Sequence, residues 1–267
     1  MKSQQLLTAL LVFLAAVVVA ISVVTVIRDD GDQDPPTDRR TVGNTEKHYP
    51  DIPSTPRAQP PTTDLFGNRL EVSTSPAGDV LARHPGPDLD PNDPDYLTAP
   101  PAGLQWQRAW GGAALPVSTS DGPARIHDGI ASGFARTPRG AALAALDAFG
   151  RALAAPEGTW QRVVVSRYYG DTARLRDRFA RSRASSANSG RYVTVPDGVR
   201  IQPGYRDDFA VVQIAARSAR GYAIATWPVA WVDNDWRVRT PGDIESFWRP
   251  GESTSSLNGF GNWKWQP

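Results

Sequence analysis

One capped segment, Ser132–Gly140, and the helix that it starts constrain the fold of this chain more than any other feature. Thr137 is a favourable N-cap, and Pro138 suits the first helical position, where its missing N–H costs no hydrogen bond. Apolar residues then recur at the i, i+4, i+7 and i+11 spacing of one helical face, namely Ala142, Leu146, Phe149 and Leu153. Pro156 ends the run. We predict a scaffold helix whose apolar face the rest of the chain covers.

Composition limits the chemistry that the chain can perform. It has no cysteine, which excludes disulfides, thiol nucleophiles and cysteine-ligated metals, and its three histidines leave little room for a metal site. The net charge of +1 gives no general argument for nucleic acid as a partner. Arginine outnumbers lysine 26 to 3, a bias typical of a high-GC genome, so arginine carries less functional meaning here than usual.

The segment Leu6–Ile27 is an uncharged, mostly aliphatic run of 22 residues. That length suffices to cross roughly 30 Å of hydrocarbon, so it predicts a transmembrane helix that contacts the lipid bilayer; the alternative is a cleaved signal peptide. Lys2 and the amino terminus precede the run, whereas Arg28, which follows it, is succeeded at once by Asp29 and Asp30. The positive-inside rule then predicts a cell-membrane protein with residues 1–5 in the cytoplasm and the C-terminal domain outside.

Residues 28–101 have the composition of a linker. Fourteen of the 24 prolines lie between Pro35 and Pro101, and the segment shows no sustained periodicity. A Pro-rich, partly extended flexible linker is predicted. One apolar island, Leu65–Val72, interrupts it and is expected to dock on the domain or on a partner.

The last third of the chain changes from helical to alternating periodicity. Residues 209–216 and 222–232 alternate between two faces, with a hairpin connection at 218–221, and Pro228 predicts a bulge or an edge. Helices first and an antiparallel meander last predict an α+β domain over 102–245, with helices packed on a curved antiparallel sheet. Residues 246–267 form an aromatic tail.

No set of residues in the sequence makes a convincing catalytic or metal centre. Ser132 is out of register for a G-x-S-x-G nucleophile. The remaining candidates are polar residues that turn chemistry already explains, namely His127 and Asp128 near Asp121, and the pairs Asp207/Asp208 and Asp233/Asp235. We therefore predict no enzyme activity, no catalytic residue, no metal and no cofactor.

Two groups of residues are candidates for partner binding. Arg174, Arg178 and Arg181 share one helical face, which is either solvated or binds phosphate groups or an acidic protein surface. The tail carries Trp248, Trp263 and Trp265 among Gly, Ser and Asn, so it either folds back on the sheet or offers aromatic anchors to a partner. The aromatic residues of the meander are expected to be core, namely Tyr222, Trp227, Trp231 and Trp236.

Two resemblances add to this interpretation. The strand–turn–strand segment Trp227–Val238 resembles the cystatin-like or nuclear-transport-factor-2-like cone, in which a long helix packs across a curved sheet. The segments Tyr96–Trp106, Gly111–Pro123 and Gly133–Ala142 are similar to an uncharacterised actinobacterial family of membrane-anchored proteins associated with conjugative elements.

The anchor, linker and cone together resemble the extracytoplasmic parts of type IV secretion and conjugation machines. We therefore predict a non-enzymatic, membrane-anchored extracytoplasmic component of such an apparatus, which acts as an assembly scaffold. Its expected partners are other membrane or secretion-apparatus proteins or a second copy of the chain, with no direct nucleic-acid binding. The alternative is an extracytoplasmic small-ligand or cell-wall binding module.

Overall fold

The structure of the chain is a computed structural model that describes residues 59–219, 221–249 and 251–265. Within these ranges the fold is mixed α+β. Its α-helices are α1 (Pro138–Ala154), α2 (Thr159–Arg167) and α3 (Thr172–Ala184). Its strands are β1 (Thr62–Thr63), β2 (Arg69–Val72), β3 (Gln105–Arg108), β4 (Ala114–Val117), β5 (Arg125–His127), β6 (Ile130–Ser132), β7 (Tyr168–Tyr169), β8 (Gly198–Ile201), β9 (Phe209–Ser218), β10 (Gly221–Val232), β11 (Asp235–Arg239) and β12 (Ser253–Thr254).

The strands of the described residues form two sheets and a separate β5–β6 hairpin. The first sheet has the order β1-β2-β3-β4, with β2 and β3 parallel. The second has the order β7-β11-β10-β9-β8, with β12 also paired to β10, and only β7 and β11 run parallel in it. The long β9–β10 hairpin sets the register of the second sheet, in which Trp227 lies opposite Val212.

Helix α1 is the centre of the fold. Thr137 caps it as predicted, because its Oγ1 accepts a hydrogen bond from the Gly140 N–H at 3.0 Å. The Phe149 ring contacts Trp227 of the second sheet, with 5.1 Å between ring centroids. At the adjacent Gly150, a Cβ would lie 2.6 Å from Cδ2 of Leu115 in β4, so the first sheet approaches closely on the other side. The helix therefore packs between two sheets.

This position corrects the predicted architecture of helices on one curved, cystatin-like sheet. Thirteen of the 17 residues of α1 are buried, whereas one apolar face was expected. The abundance of alanine explains the difference, because small side chains allow backbone elements to approach the helix from two directions. The second covering layer comes from residues 62–117, much of which composition had assigned to a linker.

The prediction of a transmembrane helix is also corrected. Among the described residues, no helix is long and apolar enough to cross a membrane. The longest of them, α1, has 17 residues and spans about 25 Å, less than the roughly 30 Å of a bilayer's hydrocarbon core. The run 6–27 that prompted the prediction lies outside the described residues, as do residues 1–5. The predicted single-pass location in the cell membrane is therefore not supported.

Residues from 62 onward belong to the fold, although composition predicted a linker from 28 to 101. Strands β1 and β2 pair at one end of the first sheet, and Leu70 in β2 is fully buried. The turn between them is tied to the rest of the domain, because Oδ2 of Asp64 accepts a hydrogen bond from the Val195 N–H at 2.9 Å. The apolar island around β2 thus docks on its own domain.

Pro228 lies inside β10 without interrupting the pairing of β10 with β9, where it faces Val211. The backbone N–H groups of every second residue in a strand point to the same side, so the nitrogen of Pro228 faces the same side as that of Ile224. The Ile224 N–H donates to Glu252 O, which lies on the side away from β9. On that side the pairing with β11 begins only at Val229. Pro228 therefore falls at a local edge, where no partner needs its missing donor, and there is no bulge.

The C-terminal tail folds back on the domain. Val199 in β8 and Gly261 exchange backbone hydrogen bonds of 3.1 and 2.8 Å. The guanidinium of Arg200 lies 4.2 Å from the centroid of the Phe260 ring. These contacts cover the outer edge of β8, which would otherwise expose unpaired backbone groups.

A pH dependence follows from the ionic contacts of the tail. Burial would raise the pKa of Asp197, but hydrogen bonds from Arg217 and Lys264, at 2.9 and 2.6 Å, hold it below its usual value. A depressed pKa adds stability above the unfolded pKa of about 3.9 and loses it as the pH falls through the folded value. We expect the difference in unfolding free energy between wild type and Asp197→Asn to shrink progressively as the pH falls below about 5.

Urea denaturation across that pH range measures this difference. Asp208→Asn serves as the control, because Asp208 pairs with Arg206 at 3.1 Å and both side chains are largely exposed. A difference for Asp197→Asn that stays constant with pH would show that its ionised form is not what holds the tail.

Candidate protein-binding surface

Helix α3 carries all three residues of the predicted arginine face, Arg174, Arg178 and Arg181. Asp171 caps it, with Oδ1 accepting from the Arg174 N–H at 3.1 Å. Leu175 and Phe179, four residues apart, are fully buried and attach the helix to the core. The helix contains five arginines and one aspartate, so it carries a strong positive charge.

The segment after β11 lies across α3. It forms a 3₁₀ turn, Ile244–Phe247, and Phe247 stacks on Trp227 with ring centroids 4.4 Å apart. The next residue, Trp248, meets Phe179 of α3 edge to face at 5.0 Å. Two anchored aromatic rings thus position Glu245 and Trp248 over the helix.

Arg178 is buried between these two elements. Its Nε lies 2.9 Å from Oε2 of Glu245, and its Nη1 donates to Oγ of Ser182 at 2.6 Å. Its guanidinium also lies 4.4 Å from the centroid of the half-buried Trp248 ring. Only 6% of the side chain is exposed, so Arg178 joins α3 to the 3₁₀ turn and presents little surface of its own.

Arg174 and Arg181 are the exposed members of the face, with 68% and 63% of their side chains accessible. Arg181 Nη2 lies 3.2 Å from Oε1 of Glu245, and Arg174 Nε lies 3.8 Å from Oδ2 of Asp171. We call Arg174, Arg178, Arg181, Glu245 and Trp248 the α3–Trp248 surface.

The other two predicted tryptophans belong to different parts of the fold. Trp263 is 2% exposed; its Nε1 donates to Thr98 O at 3.0 Å, and its own carbonyl accepts from Nε1 of Trp106 at 2.7 Å. Trp263 is therefore a core residue. Trp265 is half exposed and lies 4.7 Å from the guanidinium of Arg69 in β2. Of the residues predicted to bind a partner, the structure therefore groups the three arginines with Trp248, whereas Trp263 and Trp265 lie elsewhere in the fold.

The catalytic candidates of the sequence do not assemble into a site. The His127 side chain is 88% exposed, with Nδ1 3.7 Å from Oδ2 of Asp128. Asp121 is buried and accepts hydrogen bonds from Ser120 and Thr137, so it is committed to the turn before α1.

The paired carboxylates are also engaged separately. Asp233 pairs with Arg237 at 2.9 Å, whereas Asp235 is buried and pairs with Arg167 at 2.8 Å. Across residues 59–219, 221–249 and 251–265, no group of three or more His, Cys, Asp and Glu side chains is arranged to hold a metal ion.

Two fully buried charges on α1 escaped the sequence interpretation. Arg151 Nε pairs with Oδ1 of Asp147 at 2.7 Å, and its Nη1 donates to Ala77 O and Gly129 O at 2.8 and 3.0 Å. Burial raises the pKa of Asp147, an effect that the Arg151 charge opposes. The i, i+4 spacing of opposite charges in an alanine-rich helix was the available signal. The Asp147–Arg151 pair therefore joins α1 to the segments that contain Ala77 and Gly129.

Two of the four meander aromatics that were expected to be core are buried, and the other two are only partly so. Trp227 and Trp236 are buried, and burial together with the nearby Asp147 raises the pKa of Tyr168 well above its usual value. Trp231 and Tyr222 are half-buried. A shallow depression between Tyr96, the start of α1 and Trp263 encloses no space large enough for a water molecule.

The fold and this surface define an α+β domain that presents arginine and tryptophan side chains on one helix and the adjoining 3₁₀ turn. The chain belongs to the family described as "Domain of unknown function (DUF8175)", whose profile matches residues 71–262. Comparison with curated proteins and with solved structures found no significant match. Nothing in these comparisons supports the predicted link to conjugation or type IV secretion.

Proposed function

We propose that this chain is a non-enzymatic assembly scaffold that binds a protein partner through the α3–Trp248 surface. The observation that carries the proposal is that the half-buried Trp248 lies on the guanidinium of Arg178, whose partner Glu245 also pairs with the exposed Arg181. Tryptophan and arginine dominate the binding energy of protein interfaces, where a few such residues contribute most of the affinity.

The support beneath this surface favours binding. Trp248 contacts the buried Phe179 and follows Phe247, which is stacked on Trp227. A ring held in this way loses little conformational freedom when a partner packs on it. The surface is thus largely preorganised, which lowers the entropic cost of association.

The proposal is narrower than the function predicted from the sequence. It includes neither a membrane anchor nor a membrane location. The assignment to a conjugative-transfer or secretion apparatus rests on sequence resemblance alone, and the alternative of a small-ligand or cell-wall module has no observation in its favour. A second copy of the chain is one of the partners that the experiment can detect.

Site-specific photo-crosslinking in the native host tests the proposal. A photoreactive phenylalanine derivative replaces Asp177, an exposed residue one turn from both Arg174 and Arg181. We expect a defined crosslinked product whose partner is identified by mass spectrometry. With that partner purified, Arg181→Glu is expected to weaken binding by about 30-fold, the effect of losing an interface anchor.

Two controls accompany this measurement. The photoreactive residue at Val80, which is 43% exposed and lies outside the surface, is expected to give no such product. Arg162→Glu makes the same charge change on α2, where the side chain is also exposed, and is expected to leave the affinity unchanged. Equal affinities for Arg181→Glu and wild type would refute the proposed surface.

A further inference from the structure

Glu245 occupies a distinctive position in the α3–Trp248 surface. Its two carboxylate oxygens engage two different arginines, Oε2 with the buried Arg178 and Oε1 with the exposed Arg181, at 2.9 and 3.2 Å. The Glu245 side chain itself is 41% exposed. A single solvent-facing carboxylate therefore occupies the anion-binding position that the two arginines create.

The rest of that position is built for a carboxylate. Arg178 is fixed by Ser182 and by the Trp248 ring, so its guanidinium is held in place before any ligand arrives. Arginine donors in a fixed geometry suit planar carboxylates, and the bonds they form are charge-assisted. A buried arginine also needs an acceptor at all times, which Glu245 supplies in the free domain.

We infer that the partner presents an acidic segment, and that one of its carboxylates takes the place of Glu245 between Arg178 and Arg181. Glu245 is then an internal competitor that reduces the positive charge of the surface until the partner binds. The exposed pair with Arg181 is weak enough to exchange, because water screens it. Trp248 lies beside the exchanged carboxylate and packs against a neighbouring apolar side chain of the partner. This inference rests on the proposed function.

Four arginines of α3 argue for an acidic polypeptide; the fifth, Arg183, donates instead to backbone carbonyls at the end of α1. With only one aspartate on the helix, displacement of Glu245 leaves a basic stretch that extends from Arg181 towards Arg174. A run of acidic side chains complements that stretch and is steered towards it.

Glu245→Gln tests the inference on the full chain. Glutamine keeps an oxygen that accepts from Arg178 but removes the competing charge. With a fluorescein-labelled octaglutamate peptide as the probe, fluorescence anisotropy is expected to show about tenfold tighter binding to Glu245→Gln than to wild type. High salt is expected to abolish the gain, and an octaglutamine peptide is expected to show none. Unchanged circular dichroism and unfolding midpoint would verify that the variant is folded.

Matched variants locate the effect. Asp208→Asn also removes one exposed carboxylate from an arginine pair and is expected to leave octaglutamate binding unchanged. Glu245→Gln combined with Arg181→Gln is expected to lose the gain. An equal gain for Asp208→Asn, no gain for Glu245→Gln, or an equal gain with an oligothymidylate probe would each overturn the inference.

The inference and the proposed function fail in different ways. If Arg181→Glu weakens the crosslinked partner but Glu245→Gln does not change octaglutamate binding, the surface binds a partner by other chemistry and only the inference is wrong. If Glu245→Gln binds octaglutamate more tightly but Arg181→Glu leaves the native partner bound, the proposed function is wrong.

Discussion

Replacing Arg151 by methionine is expected to lower the free energy of unfolding by about 3–5 kcal/mol. The side chain is fully buried, and the change leaves the carboxylate of Asp147 without its cation. It also removes the donor that serves Ala77 O and Gly129 O. Urea denaturation at neutral pH measures the loss as a lower midpoint with an unchanged slope.

An exposed pair provides the control for this variant. Arg162 lies 3.2 Å from Asp128, and more than half of each side chain is accessible, so Arg162→Met is expected to cost less than about 1 kcal/mol. Asp147→Leu combined with Arg151→Met is expected to be more stable than Arg151→Met alone, because no carboxylate is then left unpaired. Equal losses for Arg151→Met and Arg162→Met would mean that the buried pair does not hold the three segments together.

Asp235→Ala is expected to cost a similar amount, about 3–5 kcal/mol, because it breaks the second buried ion pair. Oδ2 of Asp235 accepts from Nη1 of Arg167 and from the Gly133 N–H, both at 2.8 Å. Oδ1 accepts from the N–H groups of Phe134 and Trp236 at 3.2 and 2.9 Å. Removing the carboxylate leaves a 4%-exposed guanidinium without its anion and releases the loop that leads into α1.

Hydrogen exchange distinguishes this local effect from a general loss of stability. We expect the amide hydrogens of Gly133 and Phe134 to exchange faster in Asp235→Ala under conditions where the protein remains folded. Asp208→Ala is the control, because its pair with Arg206 is exposed and its loss is expected to cost less than about 1 kcal/mol. Unchanged protection of both amides in Asp235→Ala would contradict the assigned role of this carboxylate.

Local signals in the sequence were sufficient to predict the boundaries of α1 and the β9–β10 hairpin. Thr137 and Pro138 act through their own backbone neighbourhood, so the helix starts where capping preference places it. Alternation over 209–216 and 222–232 similarly identified the two long strands. The arginine face of α3 was also visible as a pattern, although its contacts were not.

The solvent exposure of each arginine on the α3 face depended on the tertiary structure. Arg174, Arg178 and Arg181 look equivalent on a helical wheel, yet Arg178 is buried and the other two are exposed. The difference arises from the segment around Glu245, 67 residues further along the chain, because Glu245 and Trp248 both contact the guanidinium of Arg178, whereas Arg181 pairs with Glu245 and stays exposed. No local pattern encodes such a distant contact, and for that reason Glu245 escaped the sequence interpretation.

The sequence by itself determined where the principal helix and the long hairpin form, because caps, turns and side-chain periodicity act over a few residues. Only the tertiary structure decided that α1 is enclosed between two sheets and that β1 and β2 belong to the fold. Proline-rich composition predicts an extended chain, but it does not reveal whether the apolar side chains of an island such as Leu65–Val72 become buried against the domain. That outcome depends on the apolar area that the assembled core offers, since burial offsets the entropy of ordering the chain only when both surfaces are present.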